Sequence, residues 1–327
     1  MILVTGGAGY IGSVAAERLL ERGYEVCVYD SLFRGYRDAV PRAAAFVEAD
    51  LADRDRLRRV FREYPIQAVM HFAALAEVTE SMLDAAGYFR NNVAASLALI
   101  EEAQAAGVNR FIFSSTCALF GDLSPSPIAE DAPPNPISPY GESKWLVERM
   151  LAWYRQVHGL SYFCLRYFNA CGATAERGER HDPETHLIPL ILQVAAGERA
   201  AINVYGADYP TPDGTCVRDY IHVLDLADAH IAALEASEEL SGCYNAGTGR
   251  GNSVREVIDT VRRVTGREIT EIAAPRRPGD AAELVADPTR IQSKLGWKAG
   301  KNLEDAVRSA WEFRTRWQPS ASRAQQP

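Results

Sequence analysis

The chain is predicted to fold as a doubly wound α/β protein, a parallel sheet covered by helices on both faces, with a smaller, interleaved α/β domain towards the C-terminus. Three observations carry this. Apolar strand-like runs alternate with helical periodicity up to about residue 170. The first strand opens onto a glycine-rich turn and the second ends in an acid. Beyond residue 170 the alternation gives way to polar loops, isolated helices and short extended runs.

Met1 to Val4 is the first apolar strand, and Thr5-Gly6-Gly7-Ala8-Gly9-Tyr10-Ile11-Gly12 follows it. A helix over 13–22, stopped by Gly23, leads to a strand over 24–29 closed by Asp30. In this order the parts make a dinucleotide-binding βαβ unit of the Rossmann type. Gly7 is expected to form the tight turn, Gly9 to let a pyrophosphate reach the backbone, and Gly12 to bring the helix close to the sheet. The helix N-terminus offers free N–H groups and partial positive charge to the phosphates. Asp30 is placed to accept both ribose hydroxyls and to repel a 2′-phosphate, which favours NAD over NADP; nearby Arg34 and Arg37 weigh against that preference.

Further strands are expected over 44–47, 66–72, 110–114 and 161–167, and helices over 53–64, 88–106 and 140–158. The strand over 66–72 is apolar throughout, as a strand buried on both faces requires. Asp50 lies where an acid can meet the adenine amino group, with Leu51 beside it. Phe72, Ala73 and Ala74 lie at a strand's carboxyl end, where cofactors sit in such sheets. Asn91 and Asn92 fall in the long helix. Residues 122–139 are rich in proline and read as a loop able to cover a cleft.

Later helices are expected over 187–197, 225–238, 253–265 (capped by Ser253 with Glu256) and 303–316. Extended segments are expected over 217–223 and 243–246, the latter placed to return to the large sheet. The expected domains are therefore 1–170, with a return segment near 217–246, and 171–327; residues 318–327 read as a frayed tail.

Composition narrows the class. The chain has 327 residues, 47% hydrophobic and 24% charged, with a net charge of -8, which argues against a bulk nucleic-acid binder. No apolar run is long enough to span a membrane, and a first strand beginning at Met1 leaves no room for a signal peptide. The six cysteines are scattered without a C-x-x-C pair, which suits reduced thiols in the cytoplasm and no metal.

Tyr140-Gly141-Glu142-Ser143-Lys144 sets a phenol and an ammonium four apart on one helical face. A phenol with pKa about 10 is a poor base, and neighbouring positive charge is expected to favour the phenolate. Thr116, just past Ser114-Ser115 at a strand end, is the third candidate, able to share a substrate oxygen with Tyr140.

The glycine loop, Thr116 and Tyr140-x-x-x-Lys144 together resemble the extended short-chain dehydrogenase/reductase family. Arg166-Tyr167-Phe168-Asn169, the run from Gly206 to Thr215, Val217-Arg218-Asp219-Tyr220-Ile221-His222-Val223 and Ala274-Pro275-Arg276-Arg277-x-Gly279-Asp280 narrow the resemblance to the UDP-glucose 4-epimerases, from Met1 to about Trp311. The resemblance implies that Gly6, Gly9, Tyr10, Ile11, Gly12, Asp30, Asp50, Leu51, Phe72, Ala73, Ala74, Asn91, Tyr140, Lys144 and Tyr167 hold NAD. It also implies that Thr116, Asn169, His186, Leu187, Tyr205, Arg218, Arg277 and Asp280 contact a UDP-sugar, the two arginines on the diphosphate and Asp280 on the uridine ribose. Three positions depart from other members: Ala76 stands where several carry lysine, His186 replaces an asparagine, and Leu284 is intermediate in size at a gate on substrate breadth.

The implied reaction oxidises C4 of the hexose transiently and returns the hydride to the other face. A dehydratase or decarboxylase of the same fold is the alternative, although Cys117-Ala118 stand where dehydratases carry Asp-Glu; a non-catalytic dinucleotide sensor is a third reading. The family usually dimerises through the helices placed here at 88–106 and 140–158, with Leu97, Trp145 and Leu146 available for that interface.

Overall fold

The computed structural model describes residues 1–121, 126–277 and 279–317. The expected tail and residues 122–125 of the proline-rich loop lie outside them.

The first half of the chain builds most of one sheet. Its strands are β1 (Ile2–Thr5), β2 (Val26–Asp30), β3 (Ala45–Glu48), β4 (Ala68–His71), β5 (Arg110–Thr116) and β6 (Ser161–Tyr167). The helices between them are α1 (Tyr10–Glu21), α2 (Arg54–Glu63), α3 (Val78–Leu83), α4 (Ala85–Tyr88), α5 (Ala95–Ala105) and α6 (Pro139–His158). A π-helical turn, Phe89–Ala94, joins α4 to α5. The helix expected over 88–106 is thus longer and interrupted, and α3 before it was not anticipated.

The second half contributes β7 (Asn169–Cys171), α7 (Leu187–Ala195), β8 (Ile202–Tyr205), β9 (Val217–His222), α8 (Val223–Glu235) and β10 (Gly242–Ala246). It ends with β11 (Gly251–Ser253), α9 (Val254–Thr265), β12 (Glu271–Ala274), β13 (Glu283–Leu284), α10 (Thr289–Leu295) and α11 (Leu303–Arg316). β10 returns to the large sheet and completes the order β10-β6-β5-β4-β1-β2-β3, every pair parallel. β9 is the hub of a small sheet with β7, β11 and β13, while β8 pairs with β12.

Alternation along each strand divides the core between two faces. Ile2 and Val4 point to the side of α1, with Ala16, Leu19 and Leu226. Leu3 points to the side of α2, α5 and α6, with Leu57, Leu99 and Val147. A third core, built on Ile191, Val257 and Val307, unites α7, α9 and α11. Buried His71 bridges Thr5 (2.7 Å) and Ser96 (2.8 Å), and burial pulls its imidazole down to about 3, so it is a neutral strut.

Helix ends follow their local chemistry. The Ser138 hydroxyl accepts from Gly141 N at 3.2 Å, Pro139 opens α6, and left-handed Gly159 (φ 73°) ends it. Ser253 and Glu256 form the expected capping box.

Candidate active site

Residues just past the carboxyl ends of β1, β2, β4, β5 and β6 line two adjoining cavities of ≈ 390 Å³ and ≈ 150 Å³, which share Gly6, Gly9, Arg34, Phe72 and Ala74. The smaller one brings together Asp30, Asp50, Leu51, Ala73 and Asn91. The larger gathers Tyr10, Ile11, Gly12, Thr116, Tyr140, Lys144 and Tyr167, together with Asn169, His186 and Arg218. Ala76 and Leu284, two of the departing positions, line it as well.

The glycine turn works differently from the expectation in detail. Gly6, not Gly7, takes the left-handed conformation (φ +72°), and a Cβ there would lie 2.4 Å from Ala73 N. A Cβ on Gly12 would strike Gly6 O at 2.2 Å, so Gly12 closes the helix onto the loop itself rather than onto the sheet. A Cβ on Gly9 would meet only Gly6 O, at 3.3 Å, and would occupy the cleft. The space left at Gly9, ahead of the N-terminus of α1, fits a pyrophosphate.

Asp30 Oδ2 accepts from Ala8 N (2.9 Å) and Oδ1 from Leu32 N (2.8 Å). Each oxygen keeps further acceptor capacity, which suits two ribose hydroxyls. Burial raises this carboxyl's pKa and the two backbone donors oppose the rise. Arg34 is paired with Glu80 at 2.7 Å and Arg37 lies over Phe46 at 4.2 Å, so neither is committed to a 2′-phosphate. The Tyr10 hydroxyl donates to Gly172 O at 2.6 Å and ties the glycine loop to the second half of the chain.

Other positions fall outside the two cavities. Tyr205, Arg277 and Asp280 form an arm of their own: Arg277 Nε donates to Asp280 Oδ2 (2.9 Å) and its guanidinium lies 4.8 Å from the Tyr205 ring centre. Arg218 links that arm to the cleft through Asp280, at 3.8 Å. Leu187 opens α7 and packs on the third core.

Several supports escaped the sequence reading. Asn92, in the π-helical turn beside Asn91, accepts from Leu75 N (2.8 Å) and donates to Leu75 O (2.9 Å) and Ser143 Oγ (3.0 Å). It thereby clamps the segment after β4 to α6. Its one visible signal is its place next to Asn91. Ser114 Oγ and the Tyr167 hydroxyl are hydrogen-bonded to each other in the cleft wall. Fully buried Asp219 holds the turn after β10, accepting from Thr248 N (3.0 Å), Thr248 Oγ1 (2.6 Å) and Gly249 N (3.0 Å).

The reacting pair has an unexpected electrostatic balance. Burial pushes the Tyr140 phenol up to about 12, against the lowering effect of its Thr116 partner. Lys144 does not reverse this, because Nζ donates to Ser114 O at 2.8 Å and lies 4.8 Å from the centre of the Phe113 ring. Desolvation pulls Lys144 down to about 7, although Glu148 opposes it. In the protein alone drying of the pocket outweighs the neighbouring charge; the expected phenolate rests on Lys144 together with the positive charge of an oxidised nicotinamide.

This has a consequence for stability. Folded Lys144 gives up its proton near 7, whereas an unfolded lysine does so near ~10.4. Between those values the unfolded chain binds more protons, so stability rises with pH. The cost of burying the charge is full below about pH 7 and vanishes near ~10.4. Lys144→Met is expected to stabilise the protein by about 2 kcal/mol near pH ~6, after the lost hydrogen bond to Ser114 is allowed for. The gain should fade by pH ~10. Thermal unfolding at the two pH values checks this, and an unchanged midpoint at the lower one contradicts it.

A sequence model of the NAD dependent epimerase/dehydratase family matches residues 2–247. A UDP-glucose 4-epimerase of Streptomyces lividans is 50% identical over 317 residues, 95% of each chain. The structure of UDP-glucose 4-epimerase from Brucella ovis in complex with NAD is similar at TM-score 0.92 and 47% identity, over 95% of this chain and 98% of that one. That of the Bifidobacterium longum enzyme in complex with NAD+ and UDP gives TM-score 0.91 and 36% identity, over 96% and 98%. With half its residues identical to such an enzyme along nearly its full length, the chain belongs to the NAD dependent epimerase/dehydratase family, among the UDP-glucose 4-epimerases.

Proposed function

We propose that the chain interconverts UDP-galactose and UDP-glucose by NAD-dependent epimerisation at C4, with Tyr140 and Thr116 moving the C4 hydroxyl proton. The observation that carries this is the juxtaposition of the Thr116 hydroxyl, the Tyr140 phenol and Lys144 in one cleft that Asn169, Arg218 and Leu284 also line. When bound, NAD supplies the hydride acceptor for C4 and a positive charge near the phenol. The chain's own residues do the rest. Thr116 presents its hydroxyl between substrate and phenol, and Tyr140 takes or returns the proton. Lys144 is placed to hold a ribose. Arg218, with Arg277 and Asp280 on the adjoining arm, suits the UDP diphosphate and ribose. A grip on UDP that is firmer than the grip on the hexose lets the keto sugar turn over and present its other face.

The elimination chemistry of a dehydratase lacks its groups. The residue after Thr116 is Cys117, whose thiol burial pushes up to about 12, and Ala118 follows. Residues 1–170 with the return segment near 217–246 serve the cofactor in this reading, and 171–327 the UDP-sugar.

Incubating the purified protein with UDP-galactose, without added NAD, should yield UDP-glucose. No conversion, even with NAD supplied, overturns the reading. UDP-N-acetylgalactosamine run beside it reports how much room Leu284 leaves.

Two copies are proposed to pair through α5 and α6, the helices that the resemblance implies for the interface; α6 exposes Trp153 (60%) and Val157 (66%). A sedimentation mass of one chain contradicts the pairing. No helix among the described residues is long and apolar enough to cross a membrane. Six unpaired cysteines accord with a reducing, cytoplasmic setting.

A further inference from the structure

Beside the reaction centre, four side chains converge that the chemistry above does not need. Glu179, His181, Glu184 and His186 each present one donor atom, and the four atoms lie within 4.8 Å of one another. His186 Nδ1 is 2.8 Å from Glu179 Oε1 and 3.2 Å from Glu184 Oε1, and His181 Nδ1 is 3.1 Å from Glu179 Oε1. Donors held about 2.1 Å from one tetrahedral ion stand roughly 3.4 Å apart. Three of the contacts are already at or inside that spacing.

We propose that Glu179, His181, Glu184 and His186 form a site for one divalent ion of the zinc class, which clips the polar segment after β7 to the start of α7.

The charge balance supports it. The two carboxylate side chains are nearly out of water, 8% and 7% exposed, while the imidazoles are 35% and 44% exposed. Two carboxylates buried side by side require two positive charges. The cation inside this run, Arg180, is turned away to Asp38 (2.8 Å) and stacks on Tyr36 at 4.1 Å. One dication bound to two neutral imidazoles and two carboxylates supplies both.

The donor set also selects the ion. Two imidazoles with two carboxylates and no thiolate suit zinc-class metals better than magnesium or calcium, which prefer oxygen alone. Four protein ligands with no open position mark a structural rather than a catalytic site. The Glu184 side chain is held in place, since Oε1 accepts from the backbone N–H groups of Thr185 and His186, both at 2.8 Å, which leaves its second oxygen for an ion. Ions have a way in, because Glu179, His181 and Glu184 border a separate cavity of ≈ 190 Å³. An ion on His186 Nδ1 leaves Nε2 available to the cleft that His186 also lines.

The test uses the full chain with its retained cofactor, freed of metal by a chelator and titrated with Zn2+ under equilibrium dialysis. Co2+ serves as a spectroscopic probe of four-coordination. The expected result is one Zn2+ per chain and an intense visible Co2+ spectrum. His181→Ala/His186→Ala should weaken binding by more than roughly 100-fold, beyond the loss of an outer-shell partner. Glu184→Gln keeps the side-chain shape and should also weaken it; this variant decides the matter if the double variant does not fold. Absence of binding at micromolar Zn2+ overturns the proposal. So does equal binding by the altered chains, which would place the ion elsewhere, for example on Cys164 and Cys243 beside Glu148. None of these readouts depends on epimerase activity, so either proposal can fail without the other.

Discussion

Replacing Tyr140 with phenylalanine is expected to slow conversion of UDP-galactose by roughly 100- to 10,000-fold, the range for loss of a positioned proton carrier. Folding should survive. The ring still fills its place at the start of α6, and the hydroxyl's protein partner is Thr116, itself engaged by Ala118 N at 3.1 Å. The loss should fall on kcat and leave KM nearly unchanged, because the phenol moves a proton and does not grip UDP. Steady-state kinetics of the pure variant, with cofactor content read by absorbance, checks this. A loss under about 10-fold would assign the proton transfer to Thr116 without Tyr140.

Removing the carboxylate of Glu148 is expected to cost about 3–5 kcal/mol of stability, the range for stripping one partner from a buried ion pair. Glu148 and Arg166 are 4% and 6% exposed, and Arg166 reaches both carboxylate oxygens, at 3.0 Å through Nε and 2.6 Å through its terminal nitrogen. The Glu148 carboxylate also accepts from Ser115 Oγ at 2.5 Å, next to Thr116, and Arg166 donates to Glu130 O at 3.0 Å. Glu148→Ala therefore leaves a guanidinium buried without its anion and loosens the strand end that presents Thr116. Glu148→Met/Arg166→Met removes both charges and should recover most of the stability, because the desolvation cost then disappears with the attraction. Urea unfolding of both variants measures this. A single variant within about 1 kcal/mol of the parent contradicts it.

The large sheet and the cofactor cleft were legible from the chain because their signals are local. A strand, a glycine turn, a capped helix and Asp30 fall within thirty residues, and Gly6, Gly9 and Asp30 meet where the pattern implies. The separate two-stranded pairing was not legible. β8 pairs with β12, Ile202 opposite Glu271, and four-residue strands so far apart carry no shared pattern. α3 has six residues, too few to show a helical period, and the π-helical turn that brings both Asn91 and Asn92 into use breaks no sequence rule. The role moved from Gly7 to Gly6 depends on one φ value, which neighbouring glycines share alike as possibilities.

The chemistry divides in the same way. A cation four residues from a phenol is visible in sequence, but the dryness that carries Tyr140 up to about 12 and Lys144 down to about 7 arises only when Phe113, Ser114 and α6 close around them. The cluster of Glu179, His181, Glu184 and His186 was passed over because it contains no cysteine and its spacing matches no familiar ligand motif; the turn that gathers it is a property of the folded loop.

The central claim is that the hydrogen on C4 leaves as hydride and returns to the same carbon. UDP-galactose carrying deuterium at C4, converted in ordinary water, tests it most directly. If the hydride is held in the cleft and given back, the UDP-glucose formed keeps deuterium at C4, read by NMR of the product. Protium at that position would show exchange with solvent, and with it a proton abstraction or elimination that contradicts the account.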